Sequence, residues 1–574
     1  MRWFLPPYGG LMKKKNFEYL NPTEFHSIKE MLEIADREVP EKIAFKYRVA
    51  GDAVESVTYA QFIRRTRAIG SELRKMGMTD KHIALVGENS YKWITVYLAV
   101  INSPGVYVPI DKELPFDDIV RIVNDSDSEV MFYAKKFEKD ICENLDKFPA
   151  IKYFVKLDED EKEDEKFLSY AQLVKRGEAL LDSGYTEYLD NVNDTSEMRL
   201  LVYTSGTTGL SKGVMLSENN IVSVIYHGLR VETIYETCLS VLPYHHTYEA
   251  VIGILVSLHH HSTICINDSL RNTLKNLQEF KPEYIFLVPA FADSFYNRIW
   301  ATAEKSGKDK MLKVLIKVSN GLMKVGIDLR RTLFKSVLSA FGGELKQIVA
   351  GGAPIRPEIG ALFNSIGIPL INGYGITECS PLVSVNRLDD NVLESVGYPL
   401  PCAEVRIDNP VDGIGEICVK SPTVMMGYYK RPEENEKVLR DGWFYTGDYG
   451  KIDEEGRIYI TGRKKNIIVL SNGKNIYPEE IEEYIMNSPL VSEVVVFSEK
   501  NEDGEEIALC AEVFPNMDKV KNDNITDVLG AVKEEVKRAC QILPSYKHIK
   551  TVTVRETEFE KTTSKKIKRN SVGK

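Results

Sequence analysis

A run of glycines and hydroxyls that directly follows an apolar segment leaves a chain few folds to choose from. One such run is Tyr203-Thr204-Ser205-Gly206-Thr207-Thr208-Gly209-Leu210-Ser211-Lys212-Gly213-Val214-Met215-Leu216-Ser217. Between Thr204 and Gly213 it holds five Ser or Thr hydroxyls, three glycines and one lysine, immediately after Leu200-Leu201-Val202-Tyr203. The apolar lead-in predicts a strand. The loop predicts an anion site, because glycines let backbone N–H groups converge, hydroxyls add donors and the lysine adds a point charge. An ordinary surface loop shares the Ser/Thr/Gly content but needs neither the strand nor the embedded lysine. The run is not a Walker loop, since four residues after Gly206 the chain reads Ser211-Lys212-Gly213 and not Gly-Lys-Ser/Thr.

The flanking sequence predicts the frame that would hold such a loop. Ser27-Ile28-Lys29-Glu30-Met31-Leu32 carries a serine cap and helical spacing, Ile43 to Tyr47 alternates as a strand, and Thr58 to Met76 is an amphipathic helix. Ile83 to Val86 is a buried strand, Trp93 to Ile101 a helix and Val106 to Ile110 a strand. Strands alternating with helices at this spacing indicate a doubly wound α/β sheet. At 574 residues the chain has room for more than one domain. Gly415 to Lys420 and Met425 to Tyr429 read as a β-rich subdomain, and the last hundred-odd residues as a small α+β unit. That unit has a helix at 478–486, strands near 491–497 and 507–514, a helix at 526–539 and a strand at 550–554.

Charge and cysteine content narrow the partners. A net charge of −10 argues against nucleic acid, which needs a basic stripe. Eight cysteines without a CxxC pair fit reduced thiols and a cytoplasmic location. No apolar run reaches the roughly 18 to 20 residues of a membrane helix; the best, Val251 to Leu258, reads as a buried helix or strand, so any membrane contact would be peripheral. Asp158 to Glu165 reads as a solvated loop, and His259-His260-His261 as a turn, not a metal site.

Two further strand ends are placed to meet a ligand, since open parallel sheets bind outside the carboxyl ends of their strands. Gly351-Gly352-Ala353-Pro354 would line an adenine or acyl pocket. In Asn372-Gly373-Tyr374-Gly375-Ile376-Thr377-Glu378-Cys379-Ser380-Pro381, Tyr374 can stack on a base, Thr377 can donate to a phosphate and Glu378 can hold Mg²⁺ as a hard oxygen ligand.

Together with Tyr203–Ser217, these motifs resemble the adenylate-forming (AMP-binding) superfamily, and Gly-Tyr-Gly…Thr-Glu-Cys-Ser-Pro looks most like its long-chain fatty acyl-CoA synthetases. Ser211 replaces the proline usual before the lysine. The resemblance spans roughly residues 25 to 570 and implies three regions: an extension at 1–24, a large adenylation domain at 25–464 and a mobile C-terminal domain at 465–574. It implies that Thr204, Ser205, Gly206, Thr207, Thr208 and Lys212 hold phosphates, with Thr204 and Glu378 at the metal. Gly352, Ala353, Tyr374, Gly375, Thr377, Asp448, Arg463 and the hinge residue Lys465 would contact the nucleotide, Asp448 through both ribose hydroxyls. In Leu242-Pro243-Tyr244-His245-His246-Thr247-Tyr248-Glu249 it points to His246, not His245, beside the acyl carboxylate. In the basic tail, where Glu560 and Lys565 replace the usual proline and glycine, Lys566 takes the place of the catalytic lysine. The implied substrates are a fatty acid, ATP with Mg²⁺, and CoA, with an acyl carrier protein as the alternative acceptor.

Overall fold

The computed structural model describes residues 17–49, 53–158, 163–204, 211–470, 475–500, 506–561, 567–569 and 572. Among them, two large sheets build the body. One contains nine strands, running edge to edge from Tyr398–Pro399 through Leu382–Val385, Leu370–Gly375, Gln347–Ala350, Tyr284–Leu287, Thr237–Ser240, Thr263–Ile266 and Ile43–Arg48 to Val54–Thr58. Its interior pairings are parallel and its outer ones antiparallel. The other contains eight strands, from Gly427–Tyr428 through Lys212–Ser217, Met198–Thr204, Val106–Ile110, His82–Val86, Ser128–Tyr133 and Tyr153–Lys156 to Phe167–Ser169.

Local signals explain why these elements form. Ser90 caps helix Tyr91–Ile101 by accepting from the Trp93 N–H, and the helix is buried almost all round, as suits an element packed within a large α/β protein. Ser217 and Asn220 form a capping box for helix Glu218–Leu229. One apolar core, including Phe45, Trp93, Tyr107, Leu200 and Ile371, joins both sheets through these helices.

The segment expected as a buried helix or strand near Val251 is a π-helix, Tyr248–Val256, continued by Ser257–His259. Within it a Cβ on Gly253 would lie 2.6 Å from the Glu249 carboxyl carbon, so the glycine leaves room for that buried side chain where it stands. His259 bonds the Thr23 carbonyl at 2.8 Å and packs on Phe25, clasping the N-terminal segment.

A five-stranded sheet, Glu404–Val411, Ile414–Lys420, Leu439–Arg440, Trp443–Ile452 and Ile458–Arg463, forms the β-rich subdomain. Here one expectation is corrected. Gly427–Tyr428 does not belong to it but pairs antiparallel with Met215 and Val214 at the edge of the eight-stranded sheet. Asn435, whose side chain bonds both the N–H and the carbonyl of Tyr428, holds it there. Of the run 158–165, residues 159–162 lie outside the described residues; 163–165 are an exposed loop as expected, where Glu163 pairs with Arg176 at 2.6 Å and accepts from the Ser169 N–H.

The C-terminal region has its own core, around Ile481, Val494, Val513 and Val532, between a three-stranded sheet and helices Pro478–Met486 and Val528–Cys540. It meets the body where a Cβ on Gly462 would come within 2.7 Å of Glu479 Oε2. Asn466 holds the same carboxylate at 2.5 Å.

Candidate functional site

The carboxyl ends of Gln347–Ala350 and Leu370–Gly375 open onto a cavity of about 720 Å³, mouth included, with an almost wholly apolar lining. Tyr248 and Ile252 of the π-helix, Phe286, Val349, Leu382 and Val385 form its walls, and Gly351, Gly352, Tyr374 and Gly375 its rim. Gly352 takes φ +86°, and a Cβ on Gly375 would sit 2.3 Å from the Pro381 carbonyl oxygen, so both positions require glycine.

At the rim, polar side chains from four parts of the chain converge. Tyr374 donates its hydroxyl to Asp448 Oδ2 at 2.6 Å, and Arg463 Nε meets Asp448 Oδ1 at 2.7 Å. Asp448 is held in place because its N–H bonds Thr446 Oγ1, which in turn donates to the Ile417 carbonyl. Burial works against the charge of Arg463, but Asp448, Tyr374 and Glu378 outweigh it and keep the guanidinium above the ordinary arginine range. Burial, then Asp448, pushes the Tyr374 hydroxyl far up, so it stays a proton donor.

Glu378 accepts from the Tyr428 hydroxyl at 2.9 Å, while its backbone carbonyl accepts from Met425 N–H at 2.8 Å. Lys212 lies across the Tyr428 ring at 5.2 Å, pairs with Glu434 and feels the Glu378 charge; burial lowers its pKa below the ordinary lysine value. Thr204 pairs with Lys212 across the hairpin. Thr377 opens the short helix that carries Glu378. The site thus brings together Thr204, Lys212, Gly352, Tyr374, Gly375, Thr377, Glu378, Asp448 and Arg463, with Ala353 exposed beside it. Lys465 is exposed in the turn that follows Arg463, beside Lys464, whose ammonium pairs with Glu416 at 2.6 Å. Ser205, Gly206, Thr207, Thr208 and Lys566 lie outside the described residues.

Magnesium commonly keeps waters and binds through one or two carboxylates plus substrate phosphates. Glu378 is a hard oxygen donor at the rim and fits that demand, and no group of three or more metal-binding His, Cys, Asp or Glu side chains occurs among the described residues.

His246 is not among the described residues that line the cavity; Tyr248, two positions on, is. The His246 ring lies 4.3 Å from that of His245, whose Nε2 faces Asp111 at 3.5 Å and whose pKa falls to about 3 through burial and the nearby Lys112. Asn89, in the loop after strand His82–Val86 of the other sheet, braces this turn by donating to the Leu242 carbonyl and accepting from Tyr244 N–H. Sequence reading also missed Tyr428 and Glu434 as partners of Glu378 and Lys212, although the adjacent tyrosines 428 and 429 were a signal.

Glu249, beneath the histidine turn, takes a hydrogen bond from Ser240, and burial pushes its pKa up to about 8. A carboxyl raised in the folded state favours folding fully below its unfolded value near 4.5 and loses that contribution as pH rises through 8. The slope for one group is at most about 1.4 kcal/mol per pH unit. Thermal unfolding across that window should show Glu249→Gln falling less steeply in Tm than the parent. Parallel curves would mean Glu249 ionises normally.

Against known proteins, the AMP-binding enzyme family profile matches residues 32–429, and the profile of the AMP-binding enzyme C-terminal domain matches residues 465–574. The long-chain-fatty-acid–CoA ligase FadD15 of Mycobacterium bovis is 27% identical over 82% of this chain and 80% of its own length. The chloroplastic long-chain-fatty-acid–[acyl-carrier-protein] ligase AEE15 of Arabidopsis thaliana is 28% identical over 77% of this chain and 71% of its own. Among solved structures, the anthranilate CoA ligase AuaEII in complex with anthranoyl-AMP superposes with a TM-score of 0.76 at 17% identity, covering 95% of this chain and 96% of that one. That likeness speaks for the fold alone.

Proposed function

The chain belongs to the AMP-binding enzyme family, and from that membership we propose that it activates a fatty acid with ATP and passes the acyl group to CoA. The observation that carries the reading is the junction of an apolar cavity with the Tyr374, Asp448, Arg463 and Glu378 cluster at one rim. An apolar slot is suited to an alkyl chain, and the polar rim to a nucleotide.

A carboxylate is a poor acyl donor because oxide is a poor leaving group. In the first step its oxygen attacks the α-phosphorus of ATP, giving acyl-AMP and pyrophosphate. In the second a thiol attacks the acyl carbon and AMP departs. Phosphoryl transfer of this kind depends mainly on positioning and charge neutralisation. Asp448 would accept the ribose hydroxyls while Arg463 and Tyr374 hold it in place, and Lys212 would leave Glu434 for the leaving pyrophosphate. Bound magnesium would offset phosphate charge beside Glu378. Lys566 would bridge the carboxylate and α-phosphate, and rotation about Lys465 would withdraw it before thiol attack.

Incubation with ATP, Mg²⁺, a fatty acid and CoA, followed by mass spectrometry, should yield the acyl-CoA thioester. A product formed only on acyl carrier protein would shift the acceptor to the alternative suggested by the relationship to AEE15.

A peripheral membrane contact has its own support. Helix Asp309–Lys324 and the turn after it present Met311, Val314, Val318 and Val325, each at least 47% exposed, in one stripe. Lys310, Lys313, Lys317 and Lys324 each sit one position before that stripe. From Lys308 to Lys335 eight basic residues face two acidic ones, in a chain of net charge −10. An apolar stripe flanked by lysines suits an anionic bilayer surface. No helix among the described residues is long and apolar enough to cross a membrane. Sedimentation with phosphatidylglycerol vesicles should fall severalfold for Val314→Asp/Val318→Asp and with added salt. Equal binding to phosphatidylcholine would remove the electrostatic part of this reading.

A further inference from the structure

The far end of the cavity carries a group that an alkyl chain does not need. Among the described residues Glu232 is the one acidic side chain in the lining; it is 9% exposed, just beyond helix Glu218–Leu229. Its Oε1 accepts from Gln347 Nε2 at 2.6 Å, while Oε2 is buried with no hydrogen-bond partner, as is the Gln347 carbonyl oxygen.

The topology places this group at the opposite end from the nucleotide rim. Gln347 is the first residue of the strand whose other end, Ala350, runs into Gly351 and Gly352. Three strand steps separate Gln347 from Ala350, about 10 Å. Val349, on the same face as Gln347, lines the wall between, beside Phe286. A chain entering at the rim therefore runs down this face toward Glu232.

A carboxyl oxygen left without a partner in an apolar wall is costly, even though its twin is paired with Gln347. A pocket meant only for a methyl terminus would be served by leucine there. Resting on the acyl-activating reading above, we propose that the pocket receives an acid whose far end bears a hydroxyl, with Glu232 Oε2 as its hydrogen-bond partner.

The surroundings select the hydroxyl over charged termini. Burial pushes the Glu232 carboxyl up to about 8, with Gln347, Arg387 and the Thr233 N–H only partly opposing it, so near neutral pH it is mainly the neutral acid and can donate. An ω-ammonium would meet the charge of Arg387, whose guanidinium stacks on Phe17 and Tyr19. An ω-carboxylate would bury a second acid against the first. A hydroxyl accepts from the neutral acid and brings no charge.

The test is a panel of straight-chain acids of eight to sixteen carbons, each paired with its ω-hydroxy and ω-carboxy analogues, with acid-dependent pyrophosphate release from ATP measured on the full chain. At the length that reaches Glu232, the hydroxy acid should exceed its plain partner by roughly tenfold in kcat/KM, the effect of one hydrogen bond. Glu232→Leu should abolish or reverse that preference, and Glu232→Gln should keep part of it. The parent panel decides the matter even if a variant fails to fold. Equal use of plain and hydroxy acids at every length, or a preference for the ω-carboxy acid, would overturn the hydroxyl assignment while leaving fatty-acid activation intact. Activation of no fatty acid at all would overturn that activity and this assignment together.

Discussion

Asp448→Asn is expected to lower kcat/KM for ATP by a factor on the order of 10² to 10³, the usual loss when one charge-bearing contact to a reacting nucleotide is removed. The substitution is chosen for what it preserves. Asparagine keeps an oxygen that can accept from the Tyr374 hydroxyl, so the buried tyrosine is not orphaned. Arg463 loses its ionic partner and meets the asparagine amide nitrogen, but its partly buried side chain is 43% exposed, enough to turn toward solvent. Stability should therefore change little, and Tm by only a few degrees. Asp448→Ala, by contrast, strands Tyr374 and should lower both activity and Tm. The prediction is read from initial rates at varied ATP beside a melting curve. If Asp448→Asn kept full activity, Asp448 would be a brace for Arg463 and not a nucleotide contact. If Arg463→Ala proved additive with it, the two residues would be acting on separate parts of the substrate.

What could be read from the chain beforehand divides along the range of the interactions. Most of the strand and helix order from Ile28 to Ile110 was legible because its causes are local, a serine cap at Ser27, apolar runs and alternation, but strand Val54–Thr58 was missed, its pattern being mostly exposed. Tyr374, Glu378, Asp448 and Arg463 could be picked out from short motifs, and the structure draws them into one cluster. Interactions set by distant pairing were not legible. Gly427–Tyr428 looked like part of the nearby β-rich unit, yet its register is with Met215, more than two hundred residues earlier. The partnership of Lys212 with Glu434, and the brace from Asn89 to the histidine turn, depend on that same long-range assembly. Glu232 resembled any acidic residue after a helix until the sheet placed Gln347 against it. The wide turn of the π-helix, with the Glu249 carboxyl close against Gly253, is not something periodicity reveals.

The larger expected effect lies on the other side of the domain boundary. On the proposed role of Lys566, Lys566→Ala should reduce acid-dependent ATP–pyrophosphate exchange by at least about 10² to 10³, because a positive charge would be lost where the carboxylate and α-phosphate must approach despite like charge. Thioester formation from supplied acyl-AMP should be nearly unchanged, since that step needs no such bridge. Lys566 and Lys565 lie outside the described residues, but their flanks are firmly tied. Lys561 and Ile567 form an antiparallel bridge, and Lys568 N–H bonds the Glu560 carbonyl at 2.8 Å. Arg569 pairs with Glu482, on the helix that also presents Glu479 to Gly462 of the large domain. Residues 567–569 are thus anchored to the helix that touches the body next to Arg463. Because the resemblance puts Lys565 at the family's glycine position, we propose Lys565→Ala as the control, which should be mild. Equal loss of both half-reactions in Lys566→Ala would instead mean that the lysine serves the architecture common to both steps. A mild Lys566→Ala beside a severe Lys565→Ala would move the bridging role to the neighbour.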